Sequence, residues 1–381
     1  MKQYSISLRK LFGIPITIHW TFWILIVWIV VNGVMKGQSS SQLLWYVLFV
    51  MAIFVCVGLH ELGHALAAKR YGIKTHSITF LPIGGVARLM KIPDKPKQEL
   101  IITIAGPMVN IIIALVLGIV LLLTKRIPFS AENLDLITSI NASNFLFMLF
   151  LINIMLFIFN MIPAFPMDGG RIFRALLSFV FPRLKATRLA VRVGQGFAIV
   201  FVLLGLLYNP FLIVIAIFIT LGAQTELQDV KFSKTLDQYK ASDLMMRKFE
   251  IFNEDQSLYS AVTEILRGQD KVFIVKDDYG ITGFFTKNDI LKGLSEMGQK
   301  TMLKNIMRTN LNWVKENQNG VTIYDLMKKE QLPILLVGDQ NQLSGIINFE
   351  NIQEFIQLQA SQKKFLKKEE LSFQNEWGIE L

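Results

Sequence analysis

Residues 50–70 read VMAIFVCVGLHELGHALAAKR and join a long apolar run to a short polar motif. The motif is His60-Glu61-Leu62-Gly63-His64, an H-E-x-x-H pattern. On a helix, positions i and i+4 place both imidazoles on one face, where they can share a zinc ion with Glu61 beside the bound water. Buried polar side chains that satisfy one another are the alternative interpretation.

The composition around this motif is typical of a membrane protein. Of the 381 residues, 52% are hydrophobic and only 18% are charged, and the mean hydropathy is +0.44. Soluble domains carry roughly 25% charged residues, so the composition argues against an ordinary soluble enzyme. The single cysteine, Cys56, excludes an internal disulfide framework and a cysteine-cluster metal site.

The net charge of +10 is divided unevenly along the chain. Residues 1–230 carry 19 Lys and Arg against 8 Asp and Glu, whereas residues 231–381 carry 20 against 21. The basic excess therefore lies in the apolar part, where membrane topology requires it, and the pattern does not indicate a nucleic-acid partner.

Charge-free runs long enough to cross a bilayer recur through the first 230 residues. Roughly 20 apolar residues suffice for one crossing, and such runs occupy residues 11–35, 37–60, 100–124, 136–167 and 193–225. Because Asn209-Pro210 interrupts the last run, we expect two helices there and about six transmembrane helices in all. Basic residues gather before the first span and after the second and fourth, which predicts a multi-pass cell-membrane protein with both termini in the cytoplasm.

A third metal ligand for the motif is suggested by a distant acidic residue. Catalytic zinc usually takes three protein ligands and a water, and Asp168 is the remaining acid near membrane depth, where ionised groups are costly and usually functional. It follows two prolines and precedes two glycines within residues 160–170, a pattern that predicts an extended segment after a helix end. Asp168 as an N-cap of the next helix is the alternative.

A hairpin pattern follows the motif. Apolar and polar residues alternate at 77–80, residues 82–85 predict a turn, and 86–89 return as a second strand, which favours a β-hairpin over a plain cytoplasmic loop.

Three motifs together resemble the site-2 protease family of intramembrane zinc metalloproteases. They are the H-E-x-x-H pattern, Ala105-Gly106-Pro107-Met108-Val109-Asn110, and Asn160 with Pro163 and Asp168-Gly169. The resemblance implies a zinc-dependent endopeptidase that acts in regulated intramembrane proteolysis on a membrane-embedded or membrane-associated protein. It also implies zinc ligation by His60, His64 and Asp168, with Glu61 as the catalytic acid and base.

The same resemblance assigns roles to the surrounding segments. It implies that Asn160 and Pro163 position the substrate backbone. It further implies that the hairpin re-enters the membrane, where its free edge is available to pair with the substrate as an added strand. The fold class we expect is therefore an α-helical polytopic membrane protein of about six spans with a re-entrant hairpin, followed by a second domain.

The second half of the chain contains an internal repeat at an offset of about 61–62 residues. Val272-Phe273-Ile274-Val275 recurs as Ile334-Leu335-Leu336-Val337, and each copy predicts helices around two strands joined by a turn. This pattern resembles a tandem pair of CBS motifs, an α/β regulatory module. We therefore expect a protease domain at 1–230, a cytoplasmic CBS pair at 231–360 and a charged tail at 361–381. The combination resembles the bacterial sporulation proteases of the family, which process a sigma-factor precursor.

CBS pairs often bind adenine nucleotides and dimerise, so the resemblance implies ATP or AMP as a ligand and a CBS-mediated homodimer. Thr286 and Asp289 match the element that holds the ribose, whereas Asn351 stands where the second copy would need the acid. A purely structural module is the alternative. For the whole chain, a CBS-regulated transporter and an inactive membrane scaffold are the competing functions. The spans show no inverted repeat, which argues against the transporter, and Glu61 argues against the scaffold.

Overall fold

The computed structural model describes residues 5–82, 84–89, 93, 95–124, 140–267, 272–339, 342–359, 361–362 and 365. It divides into two compact units, Met1–Val230 and Lys231–Leu381. The elements of the first unit and the helix that leaves it are β1 Ser5–Leu11, β2 Ile14–His19, α1 Thr21–Met35, α2 Ser40–Arg70, β3 Thr75–Leu81, β4 Gly84–Leu89, α3 Pro96–Leu123, α4 Phe145–Asn160, α5 Asp168–Leu177, α6 Arg183–Leu207 and α7 Phe211–Leu236.

Apolar helices occupy the positions of all six predicted spans. Among the residues described, α2, α3, α6 and α7 are long and apolar enough to cross a membrane, whereas α1 and α4 are shorter apolar helices of 15 and 16 residues. The predicted break at Asn209-Pro210 is confirmed, because α6 ends at Leu207 and α7 begins at Phe211. Large apolar side chains such as Leu115 and Leu203 remain exposed on these helices, as lipid contact requires. The number of crossings stays a prediction.

The first predicted span is wrong over its first ten residues. Strands β1 and β2 occupy this region, and α1 begins only at Thr21. The turn between the strands uses Phe12 at φ 51° and Gly13 at φ 86°, a left-handed conformation that glycine adopts without steric cost. Apolar composition does not distinguish a buried strand from part of a membrane helix, which explains the error.

The predicted hairpin is confirmed as β3 and β4, and its re-entry into the membrane stays a prediction. The sheet order is β1-β2-β3-β4, with β2 and β3 parallel and the other neighbours antiparallel, so β4 forms one edge. Gly84 and Gly85, which the sequence placed in the turn, belong to β4, opposite Leu81 and Phe80. Ile14, Leu62, Ala65 and Ile78 form a buried cluster between the sheet and α2.

Helix α3 lies at the centre of the first unit, where it packs against α2, α4 and α5. It begins with Pro96 at its first turn, where the missing N–H costs nothing. Helix α2 begins with a capping box. The backbone N–H of Gln42 donates to Ser39 Oγ at 3.3 Å, and the backbone N–H of Ser39 donates to Gln42 Oε1 at 3.0 Å. These two helices provide the rigid frame for the polar motif.

The second unit consists of two similar halves. Its elements are α8 Ala241–Leu244, β5 Ile251–Asn253, α9 Leu258–Arg267, β6 Val272–Lys276, β7 Ile281–Thr286, α10 Lys287–Met297, a 3₁₀ turn Leu303–Asn305, β8 Trp313–Val314, α11 Gly320–Glu330, β9 Ile334–Gly338, β10 Leu343–Asn348 and α12 at residues 349–359. The sheets β5-β6-β7 and β8-β9-β10 have the same pairing, one parallel and one antiparallel, which confirms the repeat. The short strands β5 and β8 were not predicted, and nearly all of the predicted tail, 361–381, lies outside the described residues.

The two halves exchange contacts and share a core. Met246 pairs with Ile346 of the second sheet, and Arg308 pairs with Phe284 of the first. Buried side chains from β6, β7, β9 and β10 form one cluster, which includes Ile274, Phe284 and Leu336. The repeat therefore folds as one α/β module.

Candidate metal centre

The three predicted metal ligands lie together in the structure, at the junction of α2 and α5. His60 Nε2 lies 3.1 Å and His64 Nε2 lies 3.0 Å from Asp168 Oδ2, and the two nitrogens are 3.1 Å apart. All three residues are at most 9% exposed. In the part of the chain that the structure describes, no other three or more His, Cys, Asp or Glu side chains form such a group.

Hydrogen bonds on the far side of each ring determine which nitrogen faces the group. His64 Nδ1 lies 2.8 Å from the Ile102 carbonyl oxygen, which can only accept, so Nδ1 carries the proton. His60 Nδ1 likewise donates to Asn110 Oδ1 at 3.3 Å. Both Nε2 atoms then present lone pairs toward each other and toward the carboxylate. This is the outer-shell arrangement that orients histidines toward a metal.

Three converging lone pairs repel one another unless a cation lies between them. Zinc bonds to nitrogen and oxygen are roughly 2.0–2.2 Å long, which places tetrahedral ligands roughly 3.3 Å apart. The observed separations of 3.0–3.1 Å are close to this value. The donor set of two imidazoles and one carboxylate therefore fits a catalytic zinc ion with a further position for water.

One face of α3 organises this group. Ile102, Gly106 and Asn110 follow one another at intervals of four, so they share a helix face. A Cβ atom at Gly106 would lie 2.8 Å from His60 Nε2 and closer still to His64, so only glycine allows this approach. The sequence marked Gly106 and Asn110 as part of a motif without a role, although a glycine and an asparagine four apart in an apolar helix are an identifiable signal.

The chain that leads to Asp168 differs from the prediction in two ways. Residues 161–167 form consecutive turns instead of an extended segment, with the Ala164 N–H donating to the Ile162 carbonyl at 2.7 Å and the Met167 N–H to the Ala164 carbonyl at 3.0 Å. The N-cap of α5 is Met167, so Asp168 is the first helical residue and its interpretation as an N-cap is wrong.

Both glycines that follow Asp168 belong to α5, where a Cβ at Gly170 would meet the Ala164 carbonyl carbon at 2.6 Å. The turns therefore fold back tightly onto the start of the helix. Asn160 ends α4 and Pro163 lies in the turns, both partly exposed. They are on the chain segment that leads to Asp168 but outside the three-residue group.

Glu61 is a residue of α2, and its side chain contacts the edge strand β4. Its Oε2 accepts a hydrogen bond of 2.9 Å from the Ala87 N–H of β4. A Cβ at Gly85 would lie 3.1 Å from Glu61 Cγ, so a larger residue at 85 would press on the Glu61 side chain. The remaining histidines, His19 and His76, lie in β2 and β3 and are not members of the group.

A second candidate site lies between the halves of the second unit. A cavity of about 390 Å³ is lined by residues from both copies: Val272, Thr286, Lys287, Asn288, Arg308, Pro333, Asn348, Phe349 and Glu350. Lys287 and Arg308 bring positive charge to this cavity, and Glu350 brings one negative charge.

The predicted pair Thr286 and Asp289 forms the capping box of α10. Asp289 Oδ2 accepts from the Thr286 N–H at 2.9 Å and from its hydroxyl at 2.7 Å, while Arg308 Nη2 lies 2.7 Å from Asp289 Oδ1. Although partial burial alone would raise the pKa of Asp289, the hydrogen bonds from Arg308 and Thr286 hold this pKa below its ordinary value. In the second copy, the Asn351 N–H donates to Asn348 Oδ1 at 2.9 Å, without a carboxylate.

Comparisons with known proteins identify a family in each of the two units. Residues 48–204 match peptidase family M50 and residues 241–296 match the CBS domain. The chain is 44% identical over 244 residues to zinc metalloprotease MJ0392 of Methanocaldococcus jannaschii, covering 64% of this chain and 66% of that protein. It is 26% identical over 187 residues to stage IV sporulation protein FB of Bacillus subtilis, covering 49% and 56%.

The chain thus spans 66% and 56% of the lengths of these two relatives. Among solved structures, the site-2 protease from Methanocaldococcus jannaschii is similar at 41% identity, covering 59% of this chain and 95% of that one, with a TM-score of 0.43. The residues matched to the peptidase family include the whole His-His-Asp group and Glu61. The chain therefore belongs to peptidase family M50, the site-2 protease family of zinc metalloproteases, with a CBS domain following the peptidase domain.

Proposed function

We propose that this protein is an intramembrane zinc endopeptidase that cuts a peptide bond in or beside a transmembrane segment of a membrane-associated protein. The observation that carries the proposal is the convergence of three lone-pair donors beside Glu61 within apolar helices. In this proposal, His60, His64 and Asp168 hold the zinc ion. When bound, zinc would lower the pKa of a water molecule to about 7 and polarise the scissile carbonyl.

Glu61 acts as the general acid and base. The Ala87 N–H fixes one carboxylate oxygen at 2.9 Å, so the other is oriented to accept the proton of the attacking water. Glu61 then donates this proton to the leaving nitrogen. The bond from Ala87 also means that β4 and the catalytic carboxylate are positioned together.

Strand β4 supports the proposed mode of substrate binding. A peptide bond within a helix is sterically closed, so the substrate segment has to unwind before cleavage. An edge strand offers unpaired backbone groups on which an extended segment can be held as an added strand. Asn160 and Pro163, at the end of α4 and in the turns before Asp168, are proposed to position the substrate backbone from the other side.

The proposed location is the cell membrane, with several crossings and both termini in the cytoplasm. The apolar helices and their exposed Leu, Ile and Val side chains support contact with the lipid bilayer. The basic residues that gather before the first span and after the second and fourth support the orientation.

We further propose that the CBS module binds an adenine nucleotide, ATP or AMP, and that this binding regulates proteolysis. We also propose that the module mediates a homodimer. The cavity between the two copies supports the nucleotide, since Lys287 and Arg308 provide positive charge beside Thr286. Asp289 supports ribose binding through its ionised carboxylate, which must exchange its bond with Arg308 for one with the ligand.

The proteolytic function is tested by reconstituting the full chain in liposomes with a panel of single-span membrane proteins and mapping the cut sites by mass spectrometry. We expect cuts in or beside the spanning segment that stop after chelation and return with added zinc. Cleavage that persists in fully zinc-free protein, or cuts confined to soluble domains, would refute the proposal.

A further inference from the structure

A buried ion network lies on the helix that carries Asp168. Arg174, six residues later on α5, is 1% exposed. Its Nε donates to Glu99 Oε1 at 2.8 Å and its Nη2 contacts the same oxygen, while its Nη1 contacts Glu226 Oε1. We call Glu99, Arg174 and Glu226 the arginine network. It joins α5 to α3 and α7.

Stability alone is a weak explanation for this network. A buried ion pair recovers little more than the desolvation cost of its charges, and apolar residues of similar size are often as stabilising. Glu99 is 4% exposed in the first turn of α3, where Arg183 Nη2 also lies 3.8 Å from its Oε2, so guanidinium groups hold this buried carboxylate. A guanidinium does provide precise orientation, because its rigid fork bonds two carboxylates in fixed directions.

The network uses the same face of α3 as the metal centre. Glu99 precedes Ile102 by three residues and Gly106 by seven, so the three lie on one stripe. The Ile102 carbonyl orients His64, and Gly106 makes room for both imidazoles. The contact with Arg174 therefore aligns α5 against the stripe that already holds the histidines.

Arg174 also holds the turns that precede Asp168. Its guanidinium carbon lies 5.1 Å from the ring centre of Phe165, which is fully buried against α6 and α7. Since α5 has only ten residues, fixing Arg174 and Phe165 fixes the helix on both sides of its first turn. Asp168 Oδ2 has to lie within about 3 Å of two imidazoles, so small movements of α5 would open the group.

We propose that Arg174 is a positioning residue for the metal centre, which holds Asp168 at His60 and His64 through Glu99 and Glu226. The inference rests on the zinc site of the proposed function, but not on the proteolysis. It predicts that the network determines zinc affinity, although none of its members belongs to the metal-binding group.

The test measures zinc affinity of the full chain in detergent by competition with a chromophoric chelator. We expect Arg174→Gln to weaken zinc binding by on the order of 10-fold, the lower end of the effect for residues that orient metal ligands. Arg174→Lys should restore it only in part, because an ammonium group lacks the fork that bridges two carboxylates. Arg188→Gln is the control, since it removes an exposed arginine from α6, which packs against α5, and should leave zinc affinity unchanged.

Glu226→Gln is the second variant, because it keeps the side-chain shape where Arg174→Gln fails to fold. Thermal unfolding of each metal-free variant separates the two roles: a merely structural network would lower the melting temperature and leave zinc affinity intact. Folded Arg174→Gln and Glu226→Gln proteins with wild-type zinc affinity would overturn the inference alone. A wild-type chain that binds no zinc would overturn it together with the proposed function.

Discussion

At the scale of single residues, the space beside Gly106 controls the metal centre. An added Cβ would lie 2.8 Å from His60 Nε2 and closer still to His64, and these rings cannot move away without losing their bonds to Asn110 and the Ile102 carbonyl. We expect Gly106→Ala to cost roughly 1–3 kcal/mol of folding free energy and to abolish stoichiometric zinc binding, measured by thermal unfolding and by metal analysis.

Gly196→Ala is the matched control for this prediction. Gly196 lies within α6 and an added Cβ there meets no atom within 4 Å. This variant should bind zinc normally, with a small gain in stability because alanine favours the helix. Normal zinc content in folded Gly106→Ala would contradict the close approach of α3 to the histidines.

The spacing of the H-E-x-x-H motif made His60, Glu61 and His64 predictable, because a regular helix fixes where i and i+4 point. Asp168 was predictable by elimination, since acids are rare in an apolar bundle. Asn110 was marked by its motif, but its bond to His60 was not predicted, and Arg174 was not singled out, because both roles depend on which faces of α3 and its neighbours meet. That choice is made by tertiary packing, and no local pattern records it.

At the scale of elements, the contact between β4 and α2 sets the position of the Glu61 carboxylate, the proposed general acid and base. Ala87→Pro removes the N–H that bonds to Glu61 Oε2, and proline is tolerated on an edge strand where the N–H points outward. A hydrogen bond to a charged group contributes about 1.5–3 kcal/mol, so we expect kcat/KM for a membrane substrate to fall by about 10- to 100-fold with zinc retained.

Ala87→Gly keeps the N–H and serves as the matched control, with activity near that of the wild type. Equal kcat/KM values for Ala87→Pro and the wild type would show that β4 does not orient Glu61. The measurement is a cleavage time course in liposomes at several substrate densities, accompanied by metal analysis of each preparation.

The hairpin and the helix break, which proline and glycine residues mark, were predictable, whereas the N-terminal strands were not. The hairpin of β3 and β4 followed from Pro82 and two glycines between alternating runs, and the break between α6 and α7 followed from Asn209-Pro210. Strand β2 was missed because residues 11–35 form one charge-free run long enough for a span, which outweighed Gly13 and Pro15. Its pairing is tertiary: β2 lies parallel to β3, about 60 residues away in the sequence.

At the scale of the whole molecule, the uneven charge and the repeat indicated two different domains. The structure divides at Val230, close to where the apolar spans end and the α/β repeat begins. The repeat was readable because both copies keep their buried strands at equal spacing. The sequence did not predict that Met246 pairs with the second sheet and Arg308 with the first, because single paired residues leave no periodic pattern.

The cavity of the CBS module predicts nucleotide binding. Titration of ATP and of AMP against the full chain in detergent should show binding of at least one nucleotide, because the cavity offers Lys287, Arg308 and Thr286. Asp289→Ala should weaken that binding by about 10-fold or more, since a charge-assisted hydrogen bond to ribose is lost. Lys304→Ala, which removes an exposed lysine outside the cavity, is the control. Absence of binding by the wild type would remove the nucleotide from the account.

We propose that Glu61 performs proteolysis beside a zinc ion held by His60, His64 and Asp168. The most direct test measures zinc content and cleavage rate on the same preparations of wild type and Glu61→Gln, with exposed Glu316→Gln as the control. We predict one zinc per chain in all three and a cleavage rate lower by about 10²- to 10⁴-fold in Glu61→Gln alone. Cleavage at the wild-type rate by zinc-loaded Glu61→Gln would contradict the account.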